Sequence, residues 1–144
     1  MNLLDGTFRL ILSCVIGIFI GLDQKHRGKE AGPKTHSLVC LGSTLVVIAG
    51  VYIGGDASGR IAAQVVTGIG FLGAGMILVR KNFQIQGLTT AAGIWLVACL
   101  GITMATDAWP LAMIATGLWF LITHFFTYFE KKYYDEGINE DDEE

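Results

Sequence analysis

Residues 88–106 read LTTAAGIWLVACLGITMAT, a stretch of 19 residues with no charged side chain. A helix needs about 20 apolar residues to cross a hydrocarbon core of roughly 30 Å. Four further stretches of similar length and character occur on either side of this one. Together they predict five membrane spans, at residues 3–22, 37–53, 61–79, 88–106 and 110–129.

The composition excludes several other classes of protein. Hydrophobic residues make up 52% of the 144-residue chain and charged residues 16%, whereas soluble proteins carry about 25% charged residues. Only short polar connections separate the five stretches, so no length remains for a soluble core. We therefore predict an all-α integral membrane protein, a five-helix transmembrane bundle formed by residues 1–129, and expect no nucleic-acid binding.

The basic residues of the short connections predict the orientation, because Lys and Arg are retained on the cytoplasmic side. Five spans place the connections near residues 23–36 and 80–87, and the segment after residue 129, on one side of the membrane. That side receives eight basic residues, and the opposite side has Arg60, with Arg9 inside the first span. The sequence thus predicts the N-terminus outside and the C-terminus in the cytoplasm.

The last 15 residues differ from the rest. Residues 130–144 carry eight acidic and two basic side chains, and so short and acidic a segment cannot bury a core. We predict an acidic, unstructured cytoplasmic tail, with a solubilising role favoured over binding of a specific partner.

The 19 glycines predict where helices touch, because small residues let membrane helices approach closely. The third span holds the densest group, so we expect it to be central in the bundle and expect Leu at Gly70 or Gly73 to destabilise the protein. A broken helix that binds an ion through exposed backbone is the alternative. The candidate packing residues are Gly17, Gly21, Gly50, Gly54, Gly68, Gly70, Gly73 and Gly75.

Ionisable and polar side chains near a bilayer are candidates for function. Arg60 and Gln64 lie one helical turn apart at the outer end of the third span, where they could bind an anion or hold a loop. On the opposite side of the membrane, the first connection and the start of the fourth span contain a second group of polar and ionisable residues. Its members are Asp23, Lys25, His26, Arg27, Lys29, Lys34, His36, Thr89 and Thr90.

No enzyme or cofactor site emerges from these residues. The sequence lacks a Walker-type loop, an H-E-x-x-H motif and a G-x-S-x-G motif. A metal site from His26 and His36 is disfavoured, because zinc sites need more than two imidazoles and Mg²⁺ and Ca²⁺ prefer oxygen ligands, so the sequence does not identify a metal. Asp5, Asp23, Asp56 and Asp107 all fall at the ends of spans. Because no carboxylate lies near the midplane, an unaided cation pump is difficult to build.

Three runs, GLDQKHRGKEAGPKTH at 21–36, RIAAQVVTGIGFLGAG at 60–75 and GLTTAA at 87–92, resemble the MgtC/SapB family of bacterial membrane proteins. The resemblance implies a five-helix membrane domain in the bacterial cytoplasmic membrane, associated with growth under magnesium limitation and, in pathogens, with survival inside macrophages. It also implies functional or fold-defining roles for seven candidate residues: Asp23, Arg27, His36, Arg60, Gln64, Thr89 and Thr90. Some members have Asn where Thr89 stands, and longer members append a soluble cytoplasmic domain.

Two functions follow as expectations. The first is a non-enzymatic regulator or accessory of ion homeostasis in adaptation to magnesium limitation or envelope stress, homo-oligomeric with a dimer favoured. Its partner would be another membrane complex such as the rotary ATP synthase, since inhibition of that enzyme is one idea for some family members. The alternative is an oligomeric transporter or channel for Mg²⁺ or another ion.

Overall fold

The computed structural model describes residues 1–79 and 85–141. Five helices and two very short strands follow one another in the order α1 (Leu3–His26), α2 (Pro33–Ile53), α3 (Ala57–Gly75), β1 (Leu78–Val79), β2 (Ile85–Gln86), α4 (Leu88–Met104) and α5 (Trp109–Asp141). The helical class and the five helices predicted from the sequence are confirmed.

Three helical segments are long and apolar enough to cross a membrane: α1, α2 and the part of α5 before residue 130. Helix α4 is apolar but has only 17 residues. Large apolar side chains also lie on the outer surface of the helices, among them Leu4 and Phe71, each 84% exposed. Such a surface suits a lipid environment. The structure thus supports a membrane protein, and the orientation of its termini stays a prediction.

The connection between α1 and α2 shows how local sequence ends one helix and begins the next. Gly28 has a φ of 71°, a left-handed conformation that glycine adopts without steric cost. Pro33 occupies the first position of α2, where its missing N–H is not needed. This turn brings α2 back along α1.

The core lies between α1, α2 and α4. Ile20, Cys40, Val97 and Met104 are completely buried there. The hydroxyl of Thr44 lies 2.9 Å from the carbonyl oxygen of Gly101, which satisfies a polar group inside the α2–α4 contact.

Glycines allow the closest contacts of this core. A Cβ on Gly17 would lie 2.5 Å from the Cα of Ser37, and a Cβ on Gly21 would overlap the Cα of Pro33. A Cβ on Gly50 would lie 2.8 Å from the Cα of Ser58 in α3. Backbone therefore meets backbone at all three positions. Gly54 instead ends α2 with a φ of 85°, and a Cβ there would meet open space.

The expectation that the third span is central is wrong for the single chain. Helix α3 packs against α2 and α4 at one edge of the bundle, and Ala57 and Ile69 are its buried residues. A Cβ on Gly68, Gly70 or Gly75 meets no atom of the described residues within 4 Å, and one on Gly73 meets Ala91 at 3.9 Å. Glycine content shows that a backbone can be approached, but not which helix approaches it.

Several helix ends differ from the predicted spans, most clearly those of α3 and α5. The third helix ends at Gly75 rather than at residue 79, because Leu78 and Val79 pair antiparallel with Gln86 and Ile85. Helix α3 is continuous through its glycines, so the broken-helix alternative is wrong. Helix α5 continues to Asp141, past the start of the predicted unstructured tail, and residues 142–144 lie outside the described residues.

Candidate functional site

Most of the candidate residues meet at one end of the bundle, which we call the basic end: the end of α1, the α1–α2 connection and the start of α4. Asp23, Arg27, His36, Thr89 and Thr90 all lie there. Arg60 and Gln64 lie near the start of α3, at the opposite end of the bundle from the basic end. The structure therefore separates the seven candidates into two groups.

Arg27 joins α1 to α5 at the basic end. Its Nε lies 3.0 Å from Oδ2 of Asp23, one helical turn earlier. Its Nη1 donates to the carbonyl oxygen of Thr123 at 2.8 Å and to the hydroxyl of Thr127 at 2.5 Å. Its Nη2 lies 2.9 Å from Nδ1 of His124. Asp23 and Arg27 are only 12% and 18% exposed, so this ion pair is largely removed from water.

A buried polar cluster lies beside this ion pair, formed by Gln24 of α1 and His36 of α2. Nδ1 of His36 donates to the carbonyl oxygen of Gly32 at 3.0 Å, which leaves Nε2 as an acceptor. That Nε2 and both amide atoms of Gln24 have no hydrogen-bond partner among the described residues. A Cβ on Gly93 of α4 would lie 3.0 Å from Nε2 of Gln24 and 3.9 Å from Nε2 of His36. Gly93 thus provides the space for these groups.

Thr89 and Thr90 occupy the first turn of α4. Gly87 precedes this turn with a φ of 90°, and a Cβ there would overlap the carbonyl oxygen of Met76, so the turn needs glycine. Thr90 is buried and Thr89 is exposed. Thr89 borders two cavities, which it shares with Lys29.

The two cavities are distinct. The larger, of about 470 Å³, lies over the start of α4 between the α1–α2 connection and Ile85–Leu88. The smaller, of about 270 Å³, lies between α1, α4 and α5 and reaches Gln24 and Trp119. The basic end therefore holds both polar side chains without partners and open space beside them.

Arg60 and Gln64 are exposed on α3. They border a shallow groove with Val46, Ile61 and Val65, and their side chains make no hydrogen bond to other described residues. Among the described residues, Arg60 and Gln64 therefore do not hold a loop, one of the two roles that the sequence allowed.

Arg9 is a buried residue that the sequence did not single out as a candidate. It is 5% exposed, pairs with Asp5 at 3.1 Å and Asp107 at 3.0 Å, and donates to the carbonyl oxygen of Thr106. It ties α1 to the α4–α5 connection. Asp5, four residues earlier on the same helix face, is the signal that could have identified the pair.

Gln24, Gly93 and Trp119 are also site residues that sequence reasoning missed. Gln24 continues the buried face of α1 at four-residue spacing after Ile20, and that spacing could have identified it. No local pattern marks Gly93 or Trp119, because tertiary packing brings them to the site.

Comparison with known proteins identifies the family of the chain. The family model described as MgtC family matches residues 10–132. YhiD of Escherichia coli (strain K12), whose name includes the words magnesium transporter, is 43% identical over 128 residues, which cover 82% of this chain and 59% of YhiD. Protein SrpB of Synechococcus elongatus is 39% identical over 76% of this chain and 68% of SrpB.

Protein MgtC of Salmonella typhimurium is 37% identical over 107 residues, covering 74% of this chain and 46% of MgtC. The chain thus spans between about half and two thirds of the length of these relatives. No solved structure matches it significantly.

Proposed function

This chain belongs to the MgtC family, and from that premise we propose that it is a non-enzymatic regulator or accessory of ion homeostasis in the bacterial cytoplasmic membrane. Its role would be adaptation to magnesium limitation or envelope stress. The name of YhiD supports the link to magnesium. The basic connections support the proposed orientation, with the basic end in the cytoplasm.

The main observation that favours a regulator over a transporter is that the centre of the bundle contains no open path. Between Arg9 at one end and Gln24 at the other, the α1–α2–α4 contact is filled by Ile20, Cys40 and Val97, each completely buried. Ser13 and Thr44, the polar side chains at this depth that are completely buried, have hydrogen-bond partners in the backbone. A hydrated cation would find neither space nor ligands along this route.

Three of the four aspartates at the ends of the predicted spans also support this choice. Asp5 and Asp107 pair with Arg9, and Asp23 pairs with Arg27. A hard divalent cation needs several free oxygen ligands, and it would have to displace an arginine from each of these carboxylates. No group of three or more metal-ligating side chains occurs among the described residues.

Growth at limiting magnesium tests the proposal in cells. We expect the chain to restore growth of a strain that lacks its own relative, without raising the magnesium content of the cells. Elemental analysis of washed cells measures that content, and copurification in mild detergent identifies any membrane complex that binds the chain. Restored growth with a parallel rise in cell magnesium would contradict the regulator and support a transporter.

The exposed face of α3 favours a homodimer. Arg60, Gln64 and Gly68 follow one another at four-residue spacing and are all exposed, so they share one helix face. Polar side chains are costly against lipid, and a glycine on the same face permits close approach of a second helix. A second copy of the chain is the partner we propose for this face. It also offers the alternative function, a transport path between two copies.

Substitution of Gly68 tests this dimer. Leu at Gly68 is expected to weaken self-association by roughly tenfold or more, because it separates the two α3 helices, while the chain itself stays folded since a Cβ there meets open space. Resonance energy transfer between labelled chains in liposomes measures the association. Gly117→Leu on α5 is the matched control, because its Cβ also meets nothing within 4 Å. Equal association of both variants and wild type would exclude α3 as the contact.

A further inference from the structure

The smaller cavity at the basic end has features that neither proposed function uses. It lies between α1, α4 and α5 and holds about 270 Å³. Polar side chains line it on one side and apolar side chains of α5 on the other. Its described lining consists of Gln24, Arg27, Lys29, Thr89, Trp119, Ile122, Thr123, Phe126 and Thr127.

Two buried donors in this lining have no partner among the described residues. The indole Nε1 of Trp119 makes no hydrogen bond although Trp119 is only 5% exposed, and the amide of Gln24 makes none although Gln24 is 1% exposed. An indole N–H can only donate. Burial of a polar group without a hydrogen-bond partner is unfavourable, and an acceptor ligand in the cavity would satisfy these donors.

Positive potential is added by the start of α4. No side chain of the described residues caps this helix, and its first hydrogen bond is donated by the N–H of Ala91 to the carbonyl oxygen of Gly87 at 2.8 Å. The N–H groups of Leu88, Thr89 and Thr90 therefore precede the helical hydrogen-bond pattern, and Thr89 is the residue of this turn that lines the smaller cavity. Such a helix start favours an anion, and the hydroxyl of Thr89 is a further donor.

Lys29 supplies the charge. Its backbone N–H donates to the carbonyl oxygen of Gln24 at 3.0 Å, which holds this residue beside the cavity. The charge of Arg27 is matched by Asp23, whereas Lys29 forms no ion pair with residues 1–77 or 85–129, the part of the chain whose side chains the structure describes. No carboxylate appears in the described lining of the cavity, so its net charge is positive.

We propose that this cavity binds a phosphate group, held by Lys29, the start of α4 with Thr89, and the buried donors of Gln24 and Trp119. Acceptor oxygens of a phosphate match this set of donors. Ile122 and Phe126 are about half exposed on the outer face of α5, so an acyl chain can lie against them while its headgroup occupies the cavity. A phospholipid headgroup and a soluble phosphate compound share this chemistry. The site does not depend on whether the chain transports an ion.

Fluorescence of Trp119 tests the site directly. The chain has three tryptophans, and Trp95→Phe with Trp109→Phe leaves Trp119 as the reporter. The full chain in detergent is titrated separately with phosphatidylglycerol and with inorganic phosphate. We expect a saturable change in Trp119 emission in one of these titrations, because its N–H gains an acceptor.

Three variants at the basic end test the proposed donors and provide a matched control. Lys29→Ala and Thr89→Val are each expected to raise the half-saturating concentration by roughly tenfold, which corresponds to the loss of one charge-assisted hydrogen bond. Lys25→Ala removes the same charge from an exposed residue outside the cavity and is expected to have little effect. Thr89→Val keeps the test valid if Lys29→Ala does not fold.

The two titrations distinguish the sources. A response to phosphatidylglycerol alone identifies a lipid headgroup, and a response to inorganic phosphate identifies a soluble compound. No saturable response in either titration would overturn the proposal. An equal change in Lys29→Ala and Lys25→Ala would overturn it as well, since the charge would then act without a site.

Discussion

Alanine at both Gly17 and Gly21 is expected to lower the free energy of unfolding by about 3 kcal/mol or more. A Cβ on Gly17 would lie 2.5 Å from the Cα of Ser37, and one on Gly21 would overlap the Cα of Pro33. Backbone atoms cannot relieve an overlap by changing rotamer as a side chain can. The added methyl groups must therefore push α1 and α2 apart along their shared contact. Overpacking typically costs about 1–3 kcal/mol at a single site. Thermal unfolding in detergent measures the loss.

Gly42→Ala is the matched control for this pair, because Gly42 lies within α2 and a Cβ there meets no atom of the described residues within 4 Å. We expect this variant to be as stable as wild type or more stable by up to about 1 kcal/mol, since Ala favours a helix over Gly. If alanine at Gly17 and Gly21 changed the free energy of unfolding no more than alanine at Gly42, the close α1–α2 contact would be incorrect.

Removal of the Arg27 side chain is expected to destabilise the chain by about 2–4 kcal/mol. Arg27→Ala removes the ion pair with Asp23 and the hydrogen bonds to Thr123 and Thr127, and it leaves Asp23 largely buried without its cation. Hydrogen bonds to charged groups contribute about 1.5–3 kcal/mol. The exposed Lys25→Ala variant, in the same turn, should change stability by no more than about 0.5 kcal/mol.

A double-mutant cycle isolates the ion pair from these other contacts. Asp23→Asn should be less damaging in the Arg27→Ala background than in wild type, with a coupling energy of about 1–3 kcal/mol. Unfolding of the four proteins in the same detergent gives the coupling. Strict additivity of the two substitutions would show that Asp23 and Arg27 do not interact in the folded chain.

Hydropathy was enough to locate the helices, because a membrane helix is apolar along its whole length and the polar connections interrupt that pattern. Hydropathy did not predict the residues at which the helices end. Residues 76–79 are apolar enough to extend the third span, yet Leu78 and Val79 pair with Gln86 and Ile85. Asp23 and Gln24 follow the predicted end of the first span and nevertheless belong to the last turns of α1.

Within the candidate site, the charged residues were the ones that a local sequence pattern could predict. Asp23 and Arg27 are one turn apart, so their pairing is a local property of α1. The contribution of Trp119 depends on how α5 packs against α1, which no local pattern encodes. The glycines show the same limit: Gly17 and Gly21 touch α2, whereas Gly68 and Gly70 meet open space in the single chain. Small residues thus indicate that a close helix contact is possible, but they do not indicate which helix makes it.

Magnesium flux into liposomes tests the central claim most directly. Purified chain is reconstituted into liposomes that contain a magnesium-sensitive dye, and magnesium is added outside. Because buried apolar side chains fill the α1–α2–α4 core, we expect no more dye response than in liposomes without protein. A flux that depends on the protein and is lost in Arg60→Ala or Asp23→Asn would contradict the regulator and establish a transport path.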